Sequence, residues 1–154
     1  MPTYEEAIDL MYATFSDAWT AGAAAIVGYV PDVRYEGVPD QTETKRHDKT
    51  SRYWARLTVR NAFDNTAGVG RANSSEEFLY ESVGNLSIEI YGPKQDNAAI
   101  TKLRRLAMLS RSAYRGVASG GEVVYTEVTI RERPPEDRWQ RIDVTAVYNY
   151  HETE

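Results

Sequence analysis

The last part of the chain alternates between apolar and polar positions. From Ile142 to Tyr150 the even-numbered residues are apolar or aromatic, whereas most of the odd-numbered residues between them are polar. Because successive side chains of a strand point to opposite faces, this alternation predicts a strand with one apolar face. Pro134 and Pro135 cannot donate ladder hydrogen bonds, so we expect residues 122–150 to form a hairpin with these prolines at its tip.

Three earlier segments predict further strands. Residues 31–37 form a short segment bounded by Pro and Gly, which is typical of a strand. Residues 52–63 and 78–92 both alternate, and Gly84 in the second of them marks an expected bulge. The apolar positions that we expect on one face are Tyr53, Ala55, Leu57 and Val59, followed by Leu86, Ile88 and Ile90.

The N-terminal segment has helical periodicity. Thr3 and Glu6 have the spacing of a capping box, in which each side chain accepts a backbone N–H at the start of a helix. Apolar residues then recur at steps of three and four, which predicts a helix from Thr3 to about Ala21 that weakens near Gly22. Its inward stripe is predicted to contain Tyr4, Ile8, Met11, Phe15, Ala18 and Trp19.

A second helix is predicted from about Asp96 to Arg115. Asp96 or Asn97 is expected to cap its start, and Gly116 lies just beyond its end, where glycine is common. Its inward stripe is predicted to contain Ile100, Leu103, Leu106, Ala107, Ser110 and Tyr114.

The predicted elements follow the order α-β-β-β-α-β-β within a single domain, residues 1–154. Two helices with one apolar stripe each, and strands with one apolar face each, predict an α+β two-layer sandwich. We expect a mainly antiparallel sheet with both helices packed on one face. The predicted core contains Ile8, Phe15, Leu57, Ile88, Leu103, Leu106 and Val144.

Two polar segments, Asp40–Ser51 and Asp64–Glu77, are predicted to be long loops. Loops of this length in a compact domain are usually functional or disordered, so we expect them to contact neighbouring subunits or a partner. The alternative is that they are plain surface loops. The charged residues that make them candidates for an interface are Glu43, Lys45, Arg46, Lys49, Arg71, Glu76 and Glu77.

The second helix carries three arginines on roughly one face: Arg104, Arg111 and Arg115. Two interpretations are open. The first is the solvated side of an amphipathic helix, and the second is a contact between subunits, because Arg is enriched at interfaces.

Composition narrows the class of function. There is no cysteine, which excludes disulfides, thiol catalysis and zinc-thiolate sites. The net charge of −5 disfavours a nucleic-acid groove, which usually needs a basic patch. No apolar run is long enough for a membrane helix, and the N-terminus has no signal-peptide pattern. We therefore expect a protein that is made and used in a reducing cytoplasm, or one that is exported only as part of something larger.

No catalytic, cofactor or metal site is predicted. The two histidines, His47 and His151, lie in no metal-ligand pattern, and the chain has no phosphate-binding or nucleophile-elbow motif. We therefore do not expect an enzyme, although folding can unite groups that are distant in sequence.

The whole pattern resembles the tail terminator proteins of long-tailed bacteriophages. The resemblance covers nearly the full length: the early helix, the strand NLSIEIYGPKQ before a helix ending AYRG, and the terminal hairpin ending AVYNYHETE. It departs from the family at the hairpin tip, where Pro134, Pro135, Glu136 and Asp137 replace the usual glycines.

The resemblance implies a structural virion protein located in the phage tail or neck. Such terminators form a hexameric ring that caps the tail tube, stops tube polymerisation and then binds the head-completion proteins of the neck. DNA passes through the ring, and an acidic ring would let it slide. The alternatives are a neck stopper or connector subunit, or a small α+β binding module outside the virion.

Overall fold

A computed structural model describes residues 1–36, 52–72 and 75–153, and only the backbone of residues 66–72, 75–78 and 153. Nine elements follow one another along these residues. The helices are α1 (Tyr4–Gly22), α2 (Ala24–Val27) and α3 (Ala99–Tyr114), and the strands are β1 (Asp32–Tyr35), β2 (Trp54–Ala72), β3 (Ser75–Pro93), β4 (Ala118–Ser119), β5 (Val123–Glu136) and β6 (Trp139–Thr153).

The six strands form one curled sheet, a half-barrel, in the order β1-β2-β3-β6-β5-β4. The pair β1–β2 is parallel and the other four pairs are antiparallel. Parallel strands need a connection of a dozen or more residues, and residues 36–53 separate β1 from β2. The β3 strand lies between β2 and β6 and is central to the sheet.

The predicted two-layer sandwich with the order α-β-β-β-α-β-β is therefore wrong. The sheet is mixed and curled, strands make up 49% of the chain, and the elements α2 and β4 were missed. Periodicity shows which face of a strand is apolar but not which strand it pairs with or in which direction. Bulges at Asn61/Phe63, Thr66/Gly68 and Thr126/Thr129 add local twist, which helps the sheet to curl.

The predicted loop Asp64–Glu77 is also wrong. The strands β2 and β3 continue through almost all of it and pair in register as far as Ala72↔Ser75, so the segment is the end of a long hairpin. Glycine, asparagine and serine are common in loops, so this composition predicted a flexible connection. The composition of a segment does not show which other strand it will pair with. The other predicted loop, Asp40–Ser51, lies outside the described residues.

The predicted start of α1 is confirmed. The Thr3 hydroxyl accepts the Glu6 N–H at 3.3 Å, and the Glu6 carboxylate accepts the Thr3 N–H at 2.8 Å. Both hydrogen bonds satisfy backbone donors at the start of the helix. The backbone N–H of Thr3, and then its hydroxyl, lower the pKa of Glu6 by hydrogen bonding to its carboxylate. The helix ends at Gly22, where the sequence predicted weakening.

The predicted cap of α3 is wrong, although its end is confirmed. The N-cap is Ala98, and Asp96 instead accepts hydrogen bonds from the Ala98 N–H at 2.9 Å, the Tyr53 hydroxyl at 2.7 Å and the Lys102 ammonium at 2.7 Å. Asp96 thus ties the start of β2 to the first turn of α3. Gly116 has a φ of +71°, the left-handed conformation that commonly follows a helix.

One core lies between the helices and the facing side of the sheet. All seven predicted core residues except Ile8 are buried, whereas Ile8 is only partly buried and Ala7 occupies the buried position. Tyr4 and Ile100, which were predicted to face inward, are exposed, and Ala99 is the buried residue at the start of α3.

Buried tyrosines keep their hydroxyl groups paired in this core. The Tyr114 hydroxyl donates to the Met11 carbonyl at 2.9 Å, which joins α3 to α1. Tyr148 lies over Gly84, where a Cβ would overlap the Tyr148 ring and the Arg60 carbonyl. Gly84 is therefore required for close packing, and the expected bulge lies opposite it on β2, between Asn61 and Phe63.

The substitution Leu103→Ala should lower the free energy of unfolding by about 2–5 kcal/mol, because it leaves a cavity between α3 and the sheet. Chemical denaturation measures the change. Met108→Ala is the matched control, since Met108 lies on the same helix with 52% of its surface exposed. Equal effects of the two substitutions would contradict this assignment of the buried side of α3.

The Asp96 contacts should make stability depend on pH. Hydrogen bonds from Lys102, then from Tyr53 and the Ala98 N–H, lower the pKa of Asp96 from 3.8 to about 2. A lowered folded-state pKa stabilises the protein above the unfolded pKa, and this contribution is lost as the pH falls from about 4 to 2. Asp96→Asn should therefore cost on the order of 1 kcal/mol at neutral pH and less at pH 2.

Denaturation midpoints of both proteins across this pH range measure the effect. Tyr53→Phe removes one of the three donors and should lose part of the same pH-dependent difference. A stability gap between wild type and Asp96→Asn that is constant from pH 7 to 2 would contradict the role of Asp96.

Candidate assembly surfaces

The face of the sheet opposite the helices carries rows of charged and aromatic side chains. The register places Glu89 on β3 between Arg56 on β2 and Asp143 on β6. The neighbouring row places Tyr91 between Trp54 and Arg141. These side chains share one face because they occupy alternate positions on adjacent strands.

The charged residues of these rows form a continuous network, here called the charge ladder. Arg56 donates to Glu89 at 2.7 Å, and the other Glu89 oxygen accepts from Arg141 at 3.0 Å. Arg141 also donates to Asp143 at 3.0 Å and to Glu136 at 2.7 Å. Arg133 completes the network with a 2.8 Å hydrogen bond to Asp143, so the members are Arg56, Glu89, Arg133, Glu136, Arg141 and Asp143.

Asp143 is the buried member of the ladder. Only 2% of the residue is exposed, and both of its carboxylate oxygens accept hydrogen bonds from arginines. A buried carboxylate is tolerated only when it is paired in this way. Burial lowers the pKa of Arg141, but the hydrogen bonds and charge of Asp143, together with the charges of Tyr91 and Glu89, more than offset that effect and raise the pKa above its usual value.

Three aromatic residues beside the ladder form what we call the aromatic patch: Trp54, Tyr91 and Trp139. Trp54 and Tyr91 stack with their ring centroids 4.2 Å apart, and Trp139 meets Trp54 edge-on at 6.1 Å. The guanidinium of Arg34 lies 5.2 Å from the Trp54 ring. Trp, Tyr and Arg are the residues that dominate protein–protein interfaces, so this face is suited to binding another protein.

The structure describes only some of the candidate interface residues that lie in the two polar segments. Glu43, Lys45, Arg46 and Lys49 lie outside the described residues. Arg71, Glu76 and Glu77 lie near the end of the β2–β3 hairpin, where Arg71 is opposite Glu76 and Gly70 is opposite Glu77.

The three arginines of α3 do not act as one group. Arg104 forms an ion pair with Glu132 on β5 at 2.5 Å, which raises the pKa of Arg104 and lowers that of Glu132. Arg111 is half-buried in the last turn, and Arg115 is the exposed C-cap residue. Exposed Ile100 and Met108 lie one turn before and after Arg104, so the outer side of α3 mixes apolar and charged groups.

Sequence reasoning missed the charge ladder. Trp54 and Arg56 alternate with the predicted apolar positions of β2, but nothing in the spacing shows that Arg141 meets Glu89, 52 residues away. A signal was present in the alternation of Arg141 and Asp143 beside Ile142 and Val144 on β6. Opposite charges on alternate positions of two strands predict a polar sheet face once the register is known.

Neither a metal-binding cluster nor a membrane-spanning helix is present among the described residues. Within them, no group of three or more His, Asp or Glu side chains is placed to hold a metal ion. Of the helices that the structure describes, none is long and apolar enough to cross a membrane.

Comparison with known proteins extends to the fold alone. No protein-family model and no curated protein matches this sequence. Solved structures do match, 22 chains in all. One of them aligns with a TM-score of 0.57 and 16% sequence identity over 92% of this chain and 94% of its own, and its name describes no activity. At this identity the likeness shows that the two chains share a fold.

Asp143→Ala should lower the free energy of unfolding by about 1–3 kcal/mol, because two arginines then lose a charged acceptor on the sheet. Thermal or chemical denaturation measures the loss. The matched control is Glu136→Ala, which removes the exposed carboxylate of the same ladder and should cost less than about 1 kcal/mol. An equal loss of unfolding free energy for the two substitutions would contradict the prediction that the buried carboxylate of Asp143 contributes more than the exposed one of Glu136.

Proposed function

We propose that this chain is a structural subunit of a bacteriophage virion that acts as a tail terminator. In this proposal about six copies, the number that the resemblance implies, form a ring on the end of the tail tube. The ring ends tube polymerisation and later binds the head-completion protein of the neck. DNA passes through its lumen without sequence-specific binding, and the protein needs no cofactor.

The observation that carries this proposal is the outer face of the sheet, where the charge ladder and the aromatic patch adjoin. Trp54 and Tyr91 are buried yet lie outside the core cluster, so they do not belong to the packing between sheet and helices. Arginines surround them, and the Arg56 side chain is 46% exposed. Because Trp54 and Tyr91 are already covered within the subunit, the groups that this face offers to a partner are the partly exposed Trp139 and the arginine side chains.

The net charge of −5 also supports a passage for DNA. A basic lumen would hold the phosphate backbone by releasing its counterions, whereas an acidic one binds DNA weakly. The ring should therefore bind tightly between its own subunits and to its protein partners, and only weakly to DNA. We propose that the aromatic patch and the arginines beside it supply these contacts.

Native mass spectrometry and negative-stain microscopy test the proposal. The purified protein should form closed rings, and the rings should bind the ends of isolated tail tubes and stop their growth. A protein that stays monomeric at micromolar concentration and does not bind tubes would refute the terminator role. Binding to empty heads instead of tubes would favour a neck connector.

Trp139→Ala tests the surface itself. The substitution removes one ring of the aromatic patch and should weaken ring formation while the circular dichroism of the sheet is retained. Tyr4→Ala is the matched control, because Tyr4 is an aromatic residue of α1 that is 46% exposed.

Replacing Asp40–Ser51 by a short Gly-Ser linker tests the segment that the sequence predicted to take part in assembly. Full ring formation by both Trp139→Ala and the linker variant would rule out these two contacts.

A further inference from the structure

The outer edge of β5 is open over most of its length. The short strand β4 pairs only with Val123 and Val124. From Tyr125 to Glu136, no strand among the described residues pairs with the side of β5 that faces away from β6. An unpaired edge presents a row of N–H and C=O groups that can accept another strand.

Two irregularities limit the open edge to a short window. Glu127 has a φ of +51° within the bulge between Thr126 and Thr129. At the other end, Pro134 and Pro135 lie in the register shift before Glu136. Bulges and prolines are features that block strand addition, so the regular edge is confined to the five residues 129–133, which we call the edge window.

The opposite part of the sheet ends in a two-stranded projection. Among the described residues, pairing between β3 and β6 extends as far as Leu79↔Thr153. Beyond that pair, β2 and β3 continue together from Val69↔Phe78 to Ala72↔Ser75, and no third strand of the described residues joins them. We call residues 69–72 and 75–78 the distal ribbon. A two-stranded ribbon is marginally stable alone, so it gains most from pairing with a further strand.

We propose that the distal ribbon of one copy of this chain pairs with the edge window of the next copy. Within one copy β6 lies between β3 and β5, and the ribbon extends beyond the last described β3–β6 pair, so the partner that we propose for the ribbon is the edge of a second molecule. The contact joins different surfaces of the two copies. Such head-to-tail contacts generate rings when their rotation closes, which gives the proposed terminator ring its subunit interface.

Charge supports this choice of partner. The edge window contains the exposed Arg131, while Glu132 is already paired with Arg104 of α3 and Arg133 with Asp143 of the charge ladder. The ribbon strand of β3 contains Glu76 and Glu77. Opposite charges on adjacent strands favour pairing and disfavour contact between two like edges. The ribbon segment of β3 is four residues long and therefore fits within the five residues of the window.

Cysteine cross-linking tests the contact, because the chain contains no cysteine. A size-tagged Thr129→Cys protein is mixed with untagged Glu76→Cys or Arg71→Cys protein and treated with a short bifunctional maleimide. Residues 71 and 76 lie opposite each other on the two strands of the ribbon. Comparing the two cysteine variants therefore shows which strand of the ribbon lies nearer to the edge window. Glu5→Cys, at an exposed position of α1, is the matched control.

We expect a mixed product for at least one ribbon variant, roughly tenfold or more above the Glu5→Cys control, because a specific contact raises the effective concentration of the two thiols. Arg131→Glu should reduce that product by roughly fivefold, as expected for reversing an exposed charge pair. In the experiment with Arg71→Cys protein, adding Glu76→Lys and Glu77→Lys to that protein should restore the mixed product with the Arg131→Glu partner.

A second variant tests the ribbon without cross-linking. Joining Gly68 to Leu79 through an Asn-Gly turn removes the ribbon but keeps the pair at its base. The shortened protein should keep its sheet, as judged by circular dichroism, and should no longer associate.

The ring and the edge contact can fail separately. Wild-type rings that give no mixed product above the control, or a shortened protein that still forms rings, would overturn the edge contact and leave the proposed function standing. A strong mixed product from a protein that forms open chains instead of closed rings would support the edge contact and overturn the ring.

Discussion

The register of β3 between β2 and β6 is the constraint on which the rest of the structure depends. It places Ile88 opposite Val144 on the helix side of the sheet and Glu89 opposite Asp143 on the other side. Because strand side chains alternate, a slip by one residue would carry Glu89 into the core and Ile88 out of it. The core and the charge ladder therefore depend on the same set of backbone pairs.

The two faces of the sheet contribute in different ways. The apolar face buries large side chains against α1 and α3, and this burial is the main source of stability. The charge ladder contributes less, since several of its members are partly exposed and ion pairs in water are weak. Its effect is on specificity: Asp143 requires two arginines near it, and these arginines keep the face polar beside Trp54 and Tyr91.

Local patterns predicted the elements better than their arrangement. The capping box at Thr3, the alternation of β6 and the glycine after α3 each act within a few residues, so the sequence contains the whole signal. The Gly- and Ser-rich end of the β2–β3 hairpin was predicted as a loop because its stability comes from pairing between strands. Asp96 failed as a cap for the same reason, since its partner Tyr53 is 43 residues away.

The sequence by itself determined which side of each long element is apolar and roughly where each helix ends. Periodicity and capping are local properties, so Phe15, Leu103 and Val144 could be assigned to the core from their spacing alone. Only the tertiary structure decided that β1 runs parallel to β2, that β6 lies beside β3 and that the sheet curls. Strand neighbours and register are set by the joint packing of segments far apart in the chain. The spacing of residues along one strand therefore cannot show which charges on other strands they will meet.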